Sequence, residues 1–285
     1  MYNVKVRYFE GGNVQIRIYG RPVAPSDIKF SESTGEIFER VRDDGRREEW
    51  NPFTEEWELM QVYDEEKAVH SLQSSGNRSK ACVYDIARSN RWDWFLTFTF
   101  SPEKVERENY SDCQRKLTTW LNNIRKRVSP NMKYLVVPEE HRKGGWHFHG
   151  LFADCPELTF QDSGHRDSSG RQIYNLLDYK LGFTTATRVS DSGKAAGYLT
   201  KYITKSLTFQ TAGKKRYWAS RNCERPQEDT FLMSENYMVK LQRLGVDADY
   251  IKRVVTPTGN TVIYVEVNDC REGFRELCER YKIDL

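Results

Sequence analysis

The sequence predicts an α+β fold, and three observations lead to that prediction. Short segments with alternating apolar residues recur along the chain and pair about glycine-containing or charged turns. Segments with apolar residues at helical spacing lie between them. The resulting order in the middle of the chain is β-α-β-β-α-β-α, so that hairpins mix with long crossovers, as is typical of the α+β class.

Composition sets the broad class of the protein. The chain has 285 residues, of which 38% are hydrophobic and 13% aromatic, enough for one large domain or a domain with a smaller appendage. No 18-residue apolar run and no signal-peptide pattern is present, so we expect a cytoplasmic protein. The net charge of +3 does not by itself indicate a nucleic-acid partner. The six cysteines form no C-x-x-C pair, which argues against a zinc knuckle.

The amino-terminal part predicts strands and a loop. Alternating apolar residues predict a hairpin of Val4–Phe9 with Val14–Tyr19 about a Gly-Gly-Asn turn, whose glycines allow positive φ. A second hairpin is expected from Ile28–Phe30 and Glu36–Val41. The charged, proline-interrupted segment Arg42–Trp57 is expected to be a loop or a boundary.

From about Asn77 the pattern changes to longer elements. The middle of the chain predicts, in order, helix Arg78–Arg88, central strand Phe95–Phe100, a helix capped by Ser111 that extends to Val128, hairpin Tyr134–Val137 with Trp146–Phe152, helix Ile173–Tyr179, strand Phe183–Val189 and helix Gly193–Leu207. The end of the chain predicts a helix after Phe231, strand Val262–Val267 and helix Glu272–Tyr281.

A pair of histidines on one strand is the first candidate for chemistry. His147 and His149 alternate, so both imidazoles project from the same face of the strand. Pairing about a turn near Lys143 places Glu139 opposite His147, and Glu140 is the second choice as carboxylate ligand. An H-x-H pair alone is a weak signal, but two imidazoles and a carboxylate can bind a divalent metal and leave positions open. This donor set suits zinc and iron as well as magnesium and manganese.

The second candidate is a helix that carries two phenols and two ammonium groups. Tyr198, Lys201, Tyr202 and Lys205 are spaced i, i+3, i+4 and i+7, so they share one helix face. An amphipathic surface helix is the common alternative. A free tyrosine titrates near ~10 and is a weak nucleophile at neutral pH. Neighbouring cations and a polarised phosphate would stabilise the phenolate and the transition state, which favours attack on a phosphodiester.

Taken together, these motifs resemble those of the HUH endonucleases, in particular the rolling-circle replication initiators of small phages and plasmids. The resemblance rests on Phe95–Phe100 (FLTFTF), His147–His149 (HFH) and Tyr198–Tyr202 (YLTKY), and it spans roughly Arg78 to Ser220. The first forty residues are also similar to the amino-terminal hairpins of the filamentous-phage-like replication-associated group. The family fold is a central antiparallel sheet with flanking helices, related to ferredoxin-like and RNA-recognition folds, with the H-x-H strand in its middle.

The resemblance implies a role for each motif residue. His147, His149 and Glu139 would bind Mg²⁺ or Mn²⁺, which would polarise the scissile phosphate. Tyr198 would attack to give a 5′-phosphotyrosyl link and a free 3′-hydroxyl. Tyr202 would serve the second transfer, and Lys201 would steady the metal–phosphate site. The expected activity is site-specific nicking and joining of single-stranded origin DNA in a bacterial host cell.

Partners and DNA contacts follow from the same interpretation. No G-x-x-x-x-G-K-[ST] motif is present, so strand separation is expected from a host helicase, with a host polymerase extending the 3′-hydroxyl. The segment Lys214–Arg221 mixes cations with aromatics, as suits a single strand, although an ordinary exposed loop is equally compatible. The residues predicted to contact DNA are Arg188, Lys194, Lys205, Arg216, Trp218 and Arg221.

The expected domain organisation has three parts, and several other functions remain open. The parts are a β-rich accessory segment at 1–75, the endonuclease domain at 76–225 and a carboxyl-terminal α/β extension at 226–285. The alternatives are a transposase or relaxase with the same site, a non-catalytic single-stranded nucleic-acid-binding module, and a His₂-carboxylate iron oxygenase or zinc hydrolase.

Overall fold

The computed structural model describes residues 1–23, 39–41, 47–51, 56–59, 65–141, 144–233, 248–255 and 261–267. The predictions for strand Ile28–Phe30, for most of the helix after Phe231 and for helix Glu272–Tyr281 lie outside these residues. In the part that is described, no helix is long and apolar enough to cross a bilayer.

Strands and helices follow one another along the chain in a mixed order, which confirms the α+β class. In chain order the elements are β1 (Tyr2–Phe9), β2 (Asn13–Val23), β3 (Glu39–Val41), β4 (Arg47–Asn51), β5 (Glu56–Leu59), α1 (Glu65–Arg88), β6 (Trp94–Phe100), α2 (Tyr110–Arg127), β7 (Lys133–Glu140), β8 (Trp146–Ala153), β9 (Phe160–Arg166), β10 (Gln172–Leu176), β11 (Gly182–Arg188), α3 (Ser192–Thr200), α4 (Lys205–Gln210), β12 (Trp218–Ala219), β13 (Gln227–Phe231), β14 (Tyr250–Val255) and β15 (Thr261–Val267).

A seven-stranded antiparallel sheet forms the centre of the molecule. Its strand order is β12-β7-β8-β6-β11-β10-β9, so the FLTFTF strand β6 is the middle strand and the H-x-H strand β8 lies beside it. Both were predicted as strands, and the central position of β6 is confirmed. Strand β8 is interior because it pairs with β7 on one side and β6 on the other.

Strand β6 divides the core into two faces. Leu96, Phe98 and Phe100 are buried on one face, where Phe98 packs edge-on against Trp120 of α2 at 5.4 Å between ring centroids. The alternate residues, including Thr97, project from the opposite face, because successive side chains of a strand point to opposite sides. Helix α2 therefore covers a purely apolar face and leaves the polar face to other elements.

Helices α1, α3 and α4 lie on that other side of the sheet. Helix α1 contacts α3 and α4, and Ala196 and Leu199 of α3 are completely buried. Gly76 of α1 lies so close to α4 that an added Cβ would be 2.4 Å from Thr208 Oγ1. This close approach fixes the position of the segment between α3 and α4, which carries Tyr202.

The two ends of the chain form a second sheet together. Its strand order is β13-β1-β2-β15-β14, so the predicted amino-terminal hairpin pairs with strands from the carboxyl-terminal part. The turn of that hairpin is a short 3₁₀ segment, Glu10–Gly12, in which Gly11 and Gly12 adopt positive φ as expected. Ion pairs of Arg7 with Asp85, and of Arg88 with Glu266, join this sheet to α1.

Two predicted elements were wrong in type. Ile173–Tyr179 was expected to be helical, but β10 covers most of it and pairs with β9 as a hairpin. The Asp167 carboxylate accepts hydrogen bonds from Ser169 N and Arg171 N, and this turn favours the hairpin over a helix. The segment Arg42–Trp57 was expected to be a loop, but it contains β4 and the start of β5.

Two helix boundaries also differ from the prediction. Helix α2 is capped by Asn109, whose side chain accepts from Ser111 N and Asp112 N, rather than by Ser111 itself. The single helix predicted at Gly193–Leu207 is broken into α3 and α4. The break occurs because the Thr204 hydroxyl accepts a hydrogen bond from Leu207 N, which starts a new helix.

Candidate active site

The site is built on four neighbouring strands whose residues are in register. Across β11, β6, β8 and β7, one row of paired residues is Phe183, Thr99, His147 and Glu139. The predicted pairing of Glu139 with His147 is therefore confirmed. The next row on the same face contains Thr185, Thr97, His149 and Val137. We call this side of the sheet the site face.

His149 is held through both of its ring nitrogens. Its Nε2 lies 2.7 Å from Glu139 Oε2, and its Nδ1 lies 3.0 Å from Thr97 Oγ1. The residue is only 6% exposed, so these contacts replace water almost completely. His147 is half-buried at the end of the same strand, where its ring stacks on His141 at 5.1 Å between centroids. Glu140, the second-choice ligand, instead accepts a hydrogen bond from Gln210 Nε2.

The two tyrosines meet the sheet at His149. The Tyr202 ring stacks on the His149 imidazole with 3.8 Å between centroids, and the Tyr202 hydroxyl donates to the Tyr198 hydroxyl at 2.9 Å. Tyr198 also packs edge-on against Phe95 of β6 at 5.3 Å, yet it remains 48% exposed. A continuous contact chain therefore runs from an accessible phenol to Glu139.

Electrostatics distinguish the groups of this chain. The hydrogen bond with His149, and nearby imidazole charge, hold the pKa of Glu139 below its usual range, so the carboxyl is ionised at neutral pH. Burial lowers the pKa of His147, aided by the neighbouring His141 and His149, which keeps that imidazole neutral. Burial and the contact with Tyr198 raise the pKa of Tyr202.

The donor chemistry of the three predicted ligands fits a divalent cation. An ionised carboxylate on Glu139 and a neutral imidazole on His147 both offer lone pairs, and His149 Nε2 points to Glu139. Among the described residues, however, no group of three or more His, Cys, Asp or Glu side chains is already arranged to hold a metal. A cation shared by Glu139 and His149 would replace the hydrogen bond that now joins them.

Two clefts border the tyrosines, and they differ in charge. The first has a volume of about 630 Å³ and is floored by Phe95 and Thr97; its charged lining residues are Arg171, Arg188, Lys194, Lys201, Asp167 and Asp191. We call it the basic cleft. The second, of about 360 Å³, is lined by Glu139 and Glu140 together with residues that surround the start of α4. Tyr198 and Lys201 line both clefts, so the exposed phenol lies at the boundary between them.

The predicted lysines and Arg188 lie near the basic cleft with different orientations. Lys201 Nζ is 5.7 Å from the Tyr198 ring, and the exposed Lys194 is 3.5 Å from Asp191. The Arg188 guanidinium stacks over Trp94 at 3.7 Å. Because Arg188 pairs with Trp94, its side chain leaves the sheet on the face opposite His149. The side chain of Lys205 lies outside the described residues.

Two of the residues predicted to contact DNA are structural. Trp218 is 3% exposed and packs against Phe148, so its ring is closed to a nucleic-acid base. Arg216 is 7% exposed, and its guanidinium donates to Ser75 Oγ and to Thr208 O, which ties α1 to α4. These two predictions are corrected: both side chains belong to the interior. Arg221 is exposed, but it follows β12 at the end of β7 opposite to Glu139.

Sequence reasoning missed the role of Thr97 and of Phe95. Both lie in the FLTFTF segment, which was identified only as a strand. Its alternation carries the missing signal, because Phe95, Thr97 and Thr99 share one face while Leu96, Phe98 and Phe100 share the other. No comparable signal marks His141, whose stacking on His147 depends on the turn between β7 and β8.

Comparison with known families identifies this part of the chain. Residues 93–207 match the family model of the replication-associated proteins named ORF2 and gene 2 protein. Comparisons with curated proteins and with solved structures give no match. The matched segment begins just before β6 and ends within α4, so it contains every residue of the contact chain from Tyr198 to Glu139. Residues 93–207 therefore belong to this family of replication-associated proteins.

Proposed function

We propose that the protein initiates rolling-circle replication by nicking and rejoining single-stranded origin DNA through a phosphotyrosine intermediate. One observation carries the proposal: the contact chain Tyr198–Tyr202–His149–Glu139 joins an exposed phenol to a carboxylate–imidazole pair. The replication-associated family supports the initiator role over a transposase or relaxase.

Tyr198 is the first nucleophile in this proposal, because its side chain is half exposed and borders the basic cleft. Its phenol oxygen forms a bond to the scissile phosphorus, and the bond from phosphorus to the 3′-oxygen breaks. The phenol proton is released to solvent, and the departing 3′-oxygen takes up a proton to become a free hydroxyl. The phosphodiester energy is kept in the tyrosyl ester, so the step requires no ATP.

His147, His149 and Glu139 would hold the divalent cation, Mg²⁺ or Mn²⁺, which polarises the scissile phosphate when bound. The chain's own residues supply the positioning. Thr97 and Glu139 hold the His149 ring from both nitrogens, as supporting partners of metal-binding histidines commonly do. Lys201, near the Tyr198 ring, adds a positive charge beside the attacked phosphate.

Tyr202 serves the second transfer. Its hydroxyl lies 2.9 Å from that of Tyr198, so one phosphate position is within reach of both phenols. The 3′-hydroxyl released by the first cut can then attack a phosphotyrosine in the reverse reaction, which closes the displaced strand. A host helicase would separate the strands, and a host polymerase would extend the hydroxyl.

The test is covalent capture of DNA by the full chain. Single-stranded oligonucleotides that tile the replicon encoding this chain are incubated with the protein and Mn²⁺, and the DNA-linked tryptic peptide is identified by mass spectrometry. We expect a single oligonucleotide to give an adduct on Tyr198, and Tyr198→Phe to abolish or sharply reduce it.

A matched control separates the site from other tyrosines. Tyr250 is similarly exposed on β14 of the second sheet, so Tyr250→Phe should leave adduct formation unchanged. Adduct formation that persists undiminished in a Tyr198→Phe, Tyr202→Phe double variant would refute the nucleophile assignment.

A further inference from the structure

An exposed aromatic ring lies on the site face in a position that the proposed chemistry does not use. Phe183 of β11 is 61% exposed, whereas its strand neighbour Thr184 is 1% exposed. Its side chain therefore projects from the sheet on the same side as His147. Isolated exposed apolar residues are ordinary on protein surfaces, so exposure alone has no functional meaning. The position of Phe183 in the register gives it one.

Phe183 belongs to the row that also contains Thr99, His147 and Glu139. Neighbouring strands are about 4.8 Å apart, so the Cα atoms of Phe183 and His147 are about 10 Å apart across one intervening strand. A nucleotide next to a phosphate held near His147 can therefore lay its base over the Phe183 ring. Thr99, between the two, presents a side chain small enough to leave that path open.

The chemistry of this edge of the sheet suits a nucleic acid. Exposed Arg107 lies at the start of β8, where its carbonyl accepts a hydrogen bond from Trp146 N at 2.7 Å. A cation beside a solvent-facing aromatic ring is the combination that binds single strands, with charge tracking the backbone and the ring stacking on a base. An aromatic face accepts any base, so this contact would contribute affinity rather than sequence selectivity.

We propose that Phe183 is a stacking platform for a base adjacent to the scissile phosphate, so that the bound strand crosses the site face along the row from Glu139 to Phe183. This inference rests on the proposed function, because it takes single-stranded DNA as the ligand. It adds a positioning residue outside the three motifs.

The experiment measures binding of the full chain to two probes that differ only in their bases. One is fluorescein-labelled dT15, and the other is a 15-mer of the same backbone that is entirely abasic. Fluorescence anisotropy in Mg²⁺ gives both dissociation constants, and dT15 carries no origin, so strand transfer does not interfere. The variants are Phe183→Ala, Phe183→Leu and Phe183→Trp, with Tyr250→Ala on β14 as the exposed aromatic control.

Phe183→Ala should weaken dT15 binding by about tenfold, within the range of one base–aromatic stack. Its affinity for the abasic probe should equal that of the wild type, because phosphate contacts are untouched. Phe183→Trp should restore dT15 binding, whereas Phe183→Leu should not, since it keeps the apolar surface without the ring. Tyr250→Ala should behave as the wild type on both probes.

Two different failures are distinguishable. If the wild type binds dT15 and Phe183→Ala binds it equally well, the stacking proposal is overturned and the proposed nicking function is unaffected. An equal loss on both probes would also overturn it, because the effect would then be electrostatic or structural. If the wild type binds neither probe, the proposed function itself fails, and the platform fails with it.

Discussion

The Tyr202 ring lies flat against the His149 imidazole, with 3.8 Å between centroids and 10° between the ring planes. This stack is the point at which the segment between α3 and α4 meets the sheet. The Tyr202 ring fixes the separation between the helix and the H-x-H strand, and its hydroxyl fixes the position of Tyr198. A single side chain thus has two separable roles, and substitutions can test them one at a time.

Replacing Tyr202 by phenylalanine removes the hydroxyl and keeps the stack. Tyr202→Phe should still form the Tyr198 adduct on an origin oligonucleotide, but it should lose the second transfer. The measurement follows adduct formation and strand joining to a second labelled oligonucleotide in the same reaction. Joining at the wild-type rate would show that Tyr202 is no nucleophile.

Tyr202→Ala is the matched variant, because it removes the hydroxyl and the stack together. An aromatic pair of this kind contributes about 0.5–1.5 kcal/mol beyond the area that it buries. We therefore expect the alanine variant to lose stability and to reduce adduct formation, unlike Tyr202→Phe. Equal adduct yields from the two variants would contradict a positioning role for the ring.

The contact of Thr97 with His149 predicts an effect on metal affinity. Thr97→Val keeps the shape of the side chain and removes the oxygen that lies 3.0 Å from His149 Nδ1. Loss of such a supporting partner commonly lowers metal affinity by roughly 10- to 100-fold. Titration calorimetry with Mn²⁺ measures the change. Thr185→Val is the control, since Thr185 lies in the same row but on β11, beyond Thr97.

Much of this site could be predicted from the sequence, because local periodicity governs it. Alternation on β8 places His147 and His149 on one face, and symmetric pairing about the β7–β8 turn brings Glu139 to His147. The contact of Tyr198 with Tyr202 was also predicted from helical spacing. It is present although α3 ends at Thr200, because the turn that follows keeps the two hydroxyls together.

Other features depend on contacts that no local pattern encodes. Arg216 and Trp218 have the composition of a DNA-binding segment, but tertiary packing buries them, Arg216 against α1 and α4 and Trp218 against Phe148 of the sheet. The hairpin at β9 and β10 was missed because the apolar residues around Ile173 also fit helical spacing. Its turn is decided by the hydrogen bonds of a single carboxylate, that of Asp167.

Gly150, directly after the histidine pair, predicts a stability effect. A Cβ at this position would lie 2.7 Å from Phe152 Cε2 and 2.8 Å from Val136 Cγ2. Gly150→Ala should therefore overpack the sheet and lower the free energy of unfolding by about 1–3 kcal/mol. Gly197→Ala is the contrasting variant, since nothing lies within 4 Å of its added Cβ within α3. Urea unfolding should show that it gains up to about 1 kcal/mol.

The pairing of Arg7 with Asp85 predicts how the second sheet is joined to the part of the chain that carries the site. Arg7 Nη1 lies 2.7 Å from Asp85 Oδ1, and the two side chains are only 10% and 11% exposed. Arg7→Met leaves the Asp85 carboxylate buried without this partner, which typically costs about 3–5 kcal/mol. Glu228, the other partner of Arg7, keeps its ion pair with Lys5. Urea unfolding of the full chain measures the loss.

Two further variants make this prediction specific. Arg91 pairs with Glu10 at the same 2.7 Å, but its side chain is 84% exposed, so Arg91→Met should change stability by less than about 1 kcal/mol. Combining Arg7→Met with Asp85→Leu removes the unpaired charge and should recover most of the loss. Because α1 contacts both α3 and α4, Arg7→Met alone should also reduce adduct formation, and the double variant should restore it. Stability that recovers without adduct formation would show that the second sheet acts on the tyrosines by another route.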